Sequence, residues 1–294
     1  MESVPESSGL PGARVSRALF AALLMSVVSL LVWFLPSKNA RMVGLAILAG
    51  MFVLALINYL LFALTRGAKR GARIGIRVLA ALLSLLVLLG ATVYTLAPSM
   101  LFYPHDDAES ALALAAYPQA EPLSIEAGAR VISGWMLHQA QGEAPLVLYF
   151  GGNGENAATR VRRLIESGDA DAFSGCNFAF FDYPGYGNSS GTPGEASLKQ
   201  MGLDTFDALA ARADVDESRI VLFGFSMGTG VANYVASRRP CAGLMLMAPY
   251  ADGFDLYNSM VPVFYGPLRA LVAFRMESVR FAADIAVRPL ILAS

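Results

Sequence analysis

Three long stretches without a charged residue dominate the first hundred positions, at 18–35, 42–65 and 78–97. A bilayer core of about 30 Å is crossed by roughly 20 helical residues rising 1.5 Å each, so every one of these runs is long enough to span. Near residue 122 the pattern changes. Short runs rich in β-branched and aromatic residues (130–138, 145–150, 178–183, 219–225, 243–247 and 289–293) alternate with longer amphipathic ones at 155–167, 196–212 and 227–238. Continuous apolar strands such as Leu146-Val147-Leu148-Tyr149-Phe150 suit a parallel sheet covered on both faces, and the alternation predicts an α/β fold with right-handed crossovers.

Composition agrees with a membrane part joined to a globular one. The chain of 294 residues is 55% hydrophobic and 15% charged, with a mean hydropathy of +0.51. Those values exclude a disordered, collagen-like or disulfide-stapled protein. The net charge of −1 conceals an asymmetry: residues 1–104 carry nine Lys/Arg and two acids, residues 105–294 thirteen and twenty-one. The expected organisation is therefore a three-helix anchor over 1–104 and a globular domain over 105–294. Neither part has the dense basic face, interleaved with aromatics, of a nucleic-acid binder.

The cations also predict an orientation. Five of them crowd the stretch 66–77, two lie in 36–41, and after the third run none appears before Arg130. Cytoplasmic loops collect Lys and Arg, which puts 66–77 and the N-terminus in the cytoplasm and everything after about residue 100 outside it. The runs hold no acid or base of the kind that marks an ion path, so they read as an anchor. Cys176 and Cys241 fall near the starts of strands three positions apart, too distant for a disulfide, and no Cys/His spacing suggests a metal. No cofactor is expected.

The candidate chemistry sits where strands give way to helices. Gly224-Phe225-Ser226-Met227-Gly228 fits the G-x-S-x-G pattern, in which a serine occupies a strained strand-to-helix turn and Gly224 and Gly228 leave room for it. A serine nucleophile forms a tetrahedral oxyanion that needs preorganised N–H donors. The Met227 amide, at the start of the helix, is one candidate. The Asn153 amide, in the loop Gly151-Gly152-Asn153-Gly154 that follows an earlier strand, is the other.

These motifs, together with the Asp182-Tyr183-Pro184-Gly185-Tyr186-Gly187 turn and its Ser190-Gly191-Thr192-Pro193 continuation, resemble the α/β-hydrolase superfamily. More narrowly, they resemble its membrane-anchored serine hydrolases, from about Leu101 to the C-terminus. The resemblance implies an α/β-hydrolase fold, Ser226 as nucleophile, and Asn153 and Met227 as the oxyanion hole. Gly151 stands where the family usually has a histidine.

A larger departure concerns the base. The family's order is Ser, then Asp or Glu, then His, and no histidine follows Ser226. His105 and His138 lie upstream, and Asp252 and Asp255 are the nearest downstream acids. The expectation is a chain truncated at its C-terminus, with the triad's acid and histidine absent, whose complete form cleaves carboxylic esters, thioesters or amides through an acyl-serine. A small-molecule or lipid acyl substrate is the expected partner, and the apolar stretch 254–281 is a candidate cap. The alternatives are a non-catalytic pseudohydrolase serving as a membrane-tethered interaction module, and an exopeptidase of the same fold.

Overall fold

The structure, a computed structural model, describes residues 38–260 and 262–292. The chain divides into two compact units that meet between Thr95 and Leu96.

In the first unit, helix α1 (Lys38–Leu64) is joined by a single 3-10 turn (Thr65–Gly67) to helix α2 (Arg70–Leu101). The turn closes through Ala68 N donating to Thr65 O (3.1 Å), and Arg73 reaches back to Ala68 O (2.8 Å). The helices form an antiparallel pair with a polar clasp, in which Asn58 Nδ2 donates to Ser84 Oγ (2.8 Å) and to Leu54 O (2.9 Å). Around it the surface is apolar and open: Leu82, Leu85, Leu86 and Leu89 are each more than half exposed. A contiguous apolar face of this size calls for a cover, either lipid or another protein surface.

Among the described residues one helix is long and apolar enough to cross a membrane, Arg70–Tyr94, with a mean hydropathy of 2.4. The other two of the three expected spans are not established by it. The run 78–97 lies inside a longer helix whose first turns carry Arg70, Arg73 and Arg77, residues that the sequence pattern assigns to a linker. The run 42–65 lies almost wholly within the 27-residue helix α1 (Lys38–Leu64). The run 18–35 lies outside the described residues.

The second unit is built on one seven-stranded sheet: β1 (Ala120–Ala127), β2 (Arg130–Leu137), β3 (Ala144–Phe150), β4 (Asn177–Phe181), β5 (Val215–Phe225), β6 (Gly243–Met247) and β7 (Leu290–Leu292). Their spatial order is β1-β2-β4-β3-β5-β6-β7. The β1/β2 and β2/β4 pairs are antiparallel and the remaining four are parallel. Helices α3 (Ala108–Leu114), α4 (Ala157–Glu166), α5 (Glu195–Ala210), α6 (Met227–Ala236), α7 (Gly253–Met260) and α8 (Ser278–Ala282) complete it.

Side chains alternate across a strand, and β3 shows what this accomplishes. Val147 and Tyr149 join Leu114, Ala157, Ala158, Val161, Phe178 and Phe180 in the core beneath α3 and α4. Leu146, Leu148 and Phe150, on the opposite face, are buried just as completely. Here α5 and α6 approach closely, with Gly202 against Val231, Val235 and the Phe150 ring. At roughly 2 kcal/mol for each large apolar side chain removed from water, this double-sided burial holds the central strands, and with them the loops at their carboxyl ends, in fixed positions.

Cys176 precedes β4 and Cys241 precedes β6, three positions apart in the sheet; both are free and half-buried. The stretch 254–281 holds α7, a 3-10 segment (Gly266–Leu271) and α8. It buries Tyr257, Phe264, Val272, Phe274, Met276 and Phe281. Phe274 meets the Phe102 ring edge-on at 5.6 Å, and Arg275 N donates to Glu195 Oε2 (2.7 Å), which ties the stretch to the start of α5.

Candidate active site

Ser226 sits between the last residue of β5 and the first of α6, at φ 50° and ψ −117°. A side-chain-bearing residue held at positive φ costs about 1–3 kcal/mol and persists only where its surroundings enforce it. Here the backbone is pinned from both sides. Ser226 N donates to Met247 O (2.9 Å), extending the β5/β6 ladder by one step, while Ser226 O accepts from Thr229 N (3.0 Å) and Thr229 Oγ1 (2.7 Å). The flanking glycines are demanded by packing: a Cβ at Gly224 would lie 2.6 Å from Thr229 Cα, and one at Gly228 would collide with the Phe150 carbonyl. Ser226 is half-buried, and among the described residues its Oγ has no hydrogen-bond partner.

The loop after β3 comes close to this turn. A Cβ on Gly152 would touch the Phe225 ring at 3.3 Å and stand 3.9 Å from Ser226 Cβ. Two carbonyls of the loop are held by aromatic residues, while Gly152 O accepts from Glu155 N (3.4 Å). Tyr183 Oη donates to Gly151 O (2.7 Å), Tyr186 Oη donates to Asn153 O (2.8 Å), and Tyr103 N approaches the same Asn153 O (3.4 Å). Glu155 takes the Gly152 amide (2.8 Å) and the Tyr149 hydroxyl (2.7 Å) on one carboxylate oxygen. Gly152 N–H is thereby occupied. The amides of Asn153 and Met227 donate to no acceptor among the described residues, and these are the two N–H groups the sequence nominates.

The tyrosines are kept as neutral donors. Burial raises the Tyr183 hydroxyl well above its ordinary pKa and pushes Tyr186 up to about 12. Burial likewise raises Tyr149, with the adjacent Glu155 carboxylate adding to the effect. Tyr250, also raised by burial, donates to Met227 O (3.1 Å) at the first turn of α6. Asp182 is buried beneath the same loops and accepts from Ala157 N (2.8 Å); burial pushes its carboxyl up to about 6. Sequence reasoning quotes Asp182, Tyr183 and Tyr186 only as parts of a turn, and assigns Glu155 and Tyr250 no role. The position where the family usually carries histidine is closed here, since a Cβ on Gly151 would stand 2.6 Å from the Glu155 carboxylate.

Among the described residues no histidine or acid reaches Ser226 Oγ. His138 follows β2, whose end lies opposite the start of β4 and hence at the edge of the sheet away from Ser226. Its Nε2 lies 2.7 Å from Glu121 Oε2. Glu121, His138 and Asp214 have ligand-type atoms within 4.8 Å of one another, but the Arg212 guanidinium bridges both carboxylates at 2.8–3.2 Å and occupies their oxygens. His105 is exposed, with Nδ1 3.3 Å from Tyr103 O. Asp252 caps α7 by accepting from Phe254 N (2.9 Å) and pairs with Arg269 (3.0 Å). Asp255 is exposed within the same helix.

Comparison with known proteins points to the same fold. Residues 147–284 match the family model described as serine aminopeptidase, S33. An uncharacterized protein of Mycobacterium tuberculosis is 31% identical over 163 residues, 55% of this chain and 56% of that protein. The α/β hydrolase domain-containing protein WAV2 of Arabidopsis thaliana is 31% identical over 123 residues, 40% of this chain and 38% of its own length. The chain thus spans about half the length, or less, of the curated relatives it matches. Among solved structures, an α/β hydrolase from Vibrio vulnificus superposes with a TM-score of 0.53 at 18% identity, over 70% of this chain and 74% of that one. With its mostly parallel sheet and these matches, the second unit of the chain has the α/β-hydrolase fold, and its residues 147–284 are similar to that family.

Proposed function

We propose that this protein is a membrane-anchored serine hydrolase that cleaves carboxylic esters, thioesters or amides of small-molecule or lipid acyl substrates through an acyl-Ser226 intermediate. One observation carries the reading: Ser226 is strained at a strand-to-helix turn, with an unpartnered hydroxyl and the unpartnered amides of Asn153 and Met227 nearby. In this mechanism Ser226 Oγ attacks the substrate carbonyl, and the oxygen, now carrying the negative charge, is received by the two amides. Tyr183 and Tyr186 hold the Gly151 and Asn153 carbonyls and Glu155 holds the Gly152 amide, which fixes the loop for that role. Collapse of the adduct expels the alcohol, thiol or amine and leaves the acyl group on Ser226; water then releases it. No residue of this chain is assigned as the base. The helix Arg70–Tyr94 supports the anchoring, and the cations at 66–77 support a cytoplasmic position for that end of the helix, with the hydrolase unit on the other side.

A second reading is a non-catalytic relative serving as a membrane-tethered interaction module, and the placement of both histidines away from Ser226 favours it. A fluorophosphonate probe applied to the natural full-length protein in its membrane separates the two. The hydrolase labels at Ser226 and loses labelling in Ser226→Ala; absence of labelling in the unmodified protein leaves the module. Turnover of aminoacyl amides in preference to acyl esters would assign an exopeptidase instead.

A further inference from the structure

Beside the candidate oxyanion loop, on its far side along the chain from Gly152, lies a pocket of about 110 Å³ lined by His105, Gly154, Glu155, Asn156, Thr159, Arg160 and Arg163. A water molecule occupies about 30 Å³ in the liquid, so the space holds a few waters or one compact oxyanion, and it is too small for an acyl chain. Two guanidinium groups and an imidazole face it, and the donors and acceptors around it are unevenly used. Glu155 is engaged with Tyr149, Gly152 and, at 3.7 Å, Arg160. Thr159 Oγ1 donates to Asp107, which also holds Ser110 and is lowered to about 2 by its hydrogen bonds from Ser110 and Thr159. The backbone amides of the first turn of α4 are already taken, Ala157 N by Asp182 and Thr159 N by the Asn156 side chain. What is left over is cationic. Arg163 is exposed with no ion-pair partner among the described residues, the His105 Nε2 has none either, and Arg160 is only loosely paired.

We propose that this pocket binds a phosphate monoester group, gripped by Arg163 and Arg160 with His105 closing one side. Guanidinium forks match the oxygens of a phosphate, and a tetrahedral dianion can use three donors that converge from different directions, where a planar carboxylate uses two. The neighbouring carboxylates Asp106, Asp107 and Glu155 oppose an incoming anion, so a ligand is held only where it engages the guanidinium groups directly, as a phosphate can. The phosphate can belong to a free phosphate ester or to a lipid headgroup. The proposal does not depend on Ser226 being reactive.

The test uses the full chain in nanodiscs of phosphatidylcholine, titrated calorimetrically with inorganic phosphate and with glycerol 3-phosphate. Parallel nanodiscs contain a minor fraction of phosphatidate, whose retention by the protein is read by native mass spectrometry. At least one arm is expected to show saturable binding that weakens about tenfold in Arg163→Gln, the loss of one charge-assisted contact, with the melting temperature unchanged. His105→Gln weakens the same arm, and Arg280→Gln, an exposed cation paired with Glu277, leaves it unaltered. Saturation by the soluble phosphates identifies a free ester, and Arg163-dependent retention of phosphatidate alone identifies a headgroup. Absence of saturation in every arm, or binding that survives both Arg163→Gln and His105→Gln, overturns the proposal. Should Arg163→Gln fail to fold, His105→Gln decides by the same criterion.

Discussion

Asp182 carries the clearest titration of any single residue in the hydrolase unit. It is 5% exposed, its Oδ1 accepts the Ala157 amide, and burial outweighs that hydrogen bond and the nearby His105, leaving the carboxyl at about 6. An unfolded aspartate titrates near 3.9, so between these values the folded protein holds a proton that the unfolded chain has lost. Stability from this group is therefore fully present below about pH 4, falls as the pH rises to about 6, and is flat beyond, a swing of roughly 3 kcal/mol at about 1.4 kcal/mol per unit. Asp182→Asn keeps an oxygen for Ala157 and removes the ionisation. The variant's melting temperature relative to the unaltered protein is expected to rise across pH 4 to 6 and then level off; a difference that stays constant with pH would show that Asp182 does not titrate there. Residues of this kind are hard to see in a sequence. The requirements at Gly224 and Gly228 are local, because each glycine is needed by atoms a few residues away or by the adjacent strand, and so the pattern around Ser226 is legible. Asp182 takes its role from Ala157, a partner brought in by the fold from another loop, and nothing in its own neighbourhood of sequence announces it.

Helix α4 shows how an element of the sheet's periphery governs the loops. It starts at Ala157 behind Asn156, whose side chain accepts from Thr159 N (3.2 Å), and it packs Ala157, Ala158 and Val161 onto the sheet. Both arginines of the proposed phosphate pocket ride on its outer side. Removing the cap through Asn156→Ala is expected to cost about 1 kcal/mol, seen as a lower urea midpoint with unchanged slope, and Asn156→Ser is expected to restore most of it. Equal midpoints for Asn156→Ala and the unaltered protein would show that the cap contributes nothing. The helix itself is legible in the sequence to within two residues at its start, as are β3 and β6, because continuous burial writes continuous apolar runs; β5 begins four residues before the expected 219, in the mostly exposed segment Asp216–Arg219. The strand β1 is not. Its Ala-Glu-Pro-Leu-Ser-Ile-Glu-Ala sequence exposes alternate residues at the edge of the sheet and includes a proline, so it resembles a loop until β2 pairs with it. The short helix α3 is concealed in the same way, since only Ser110 and Leu114 are buried.

At the scale of the whole molecule the question is which side of the membrane the hydrolase unit occupies. Arg66, Lys69, Arg70, Arg73 and Arg77 all lie at the N-terminal end of the crossing helix, and no cation follows that helix until Arg130. Carrying a Lys or Arg through the bilayer centre costs about 2.5–3.5 kcal/mol on insertion scales, and the proposed orientation therefore keeps the end with five of them cytoplasmic and the acidic hydrolase unit on the other side. Single cysteines placed in a Cys176→Ser, Cys241→Ser background can read this directly. Gly67 is exposed in the turn between α1 and α2 with open space around its Cα, and Glu217 is exposed on β5. A membrane-impermeant maleimide is expected to label Glu217→Cys on intact cells, and Gly67→Cys only after the membrane is opened. The opposite pattern would reverse the orientation. Labelling of both positions from the same side would mean that Arg70–Tyr94 does not cross, and the exposed leucines along it would then need a protein partner in place of lipid.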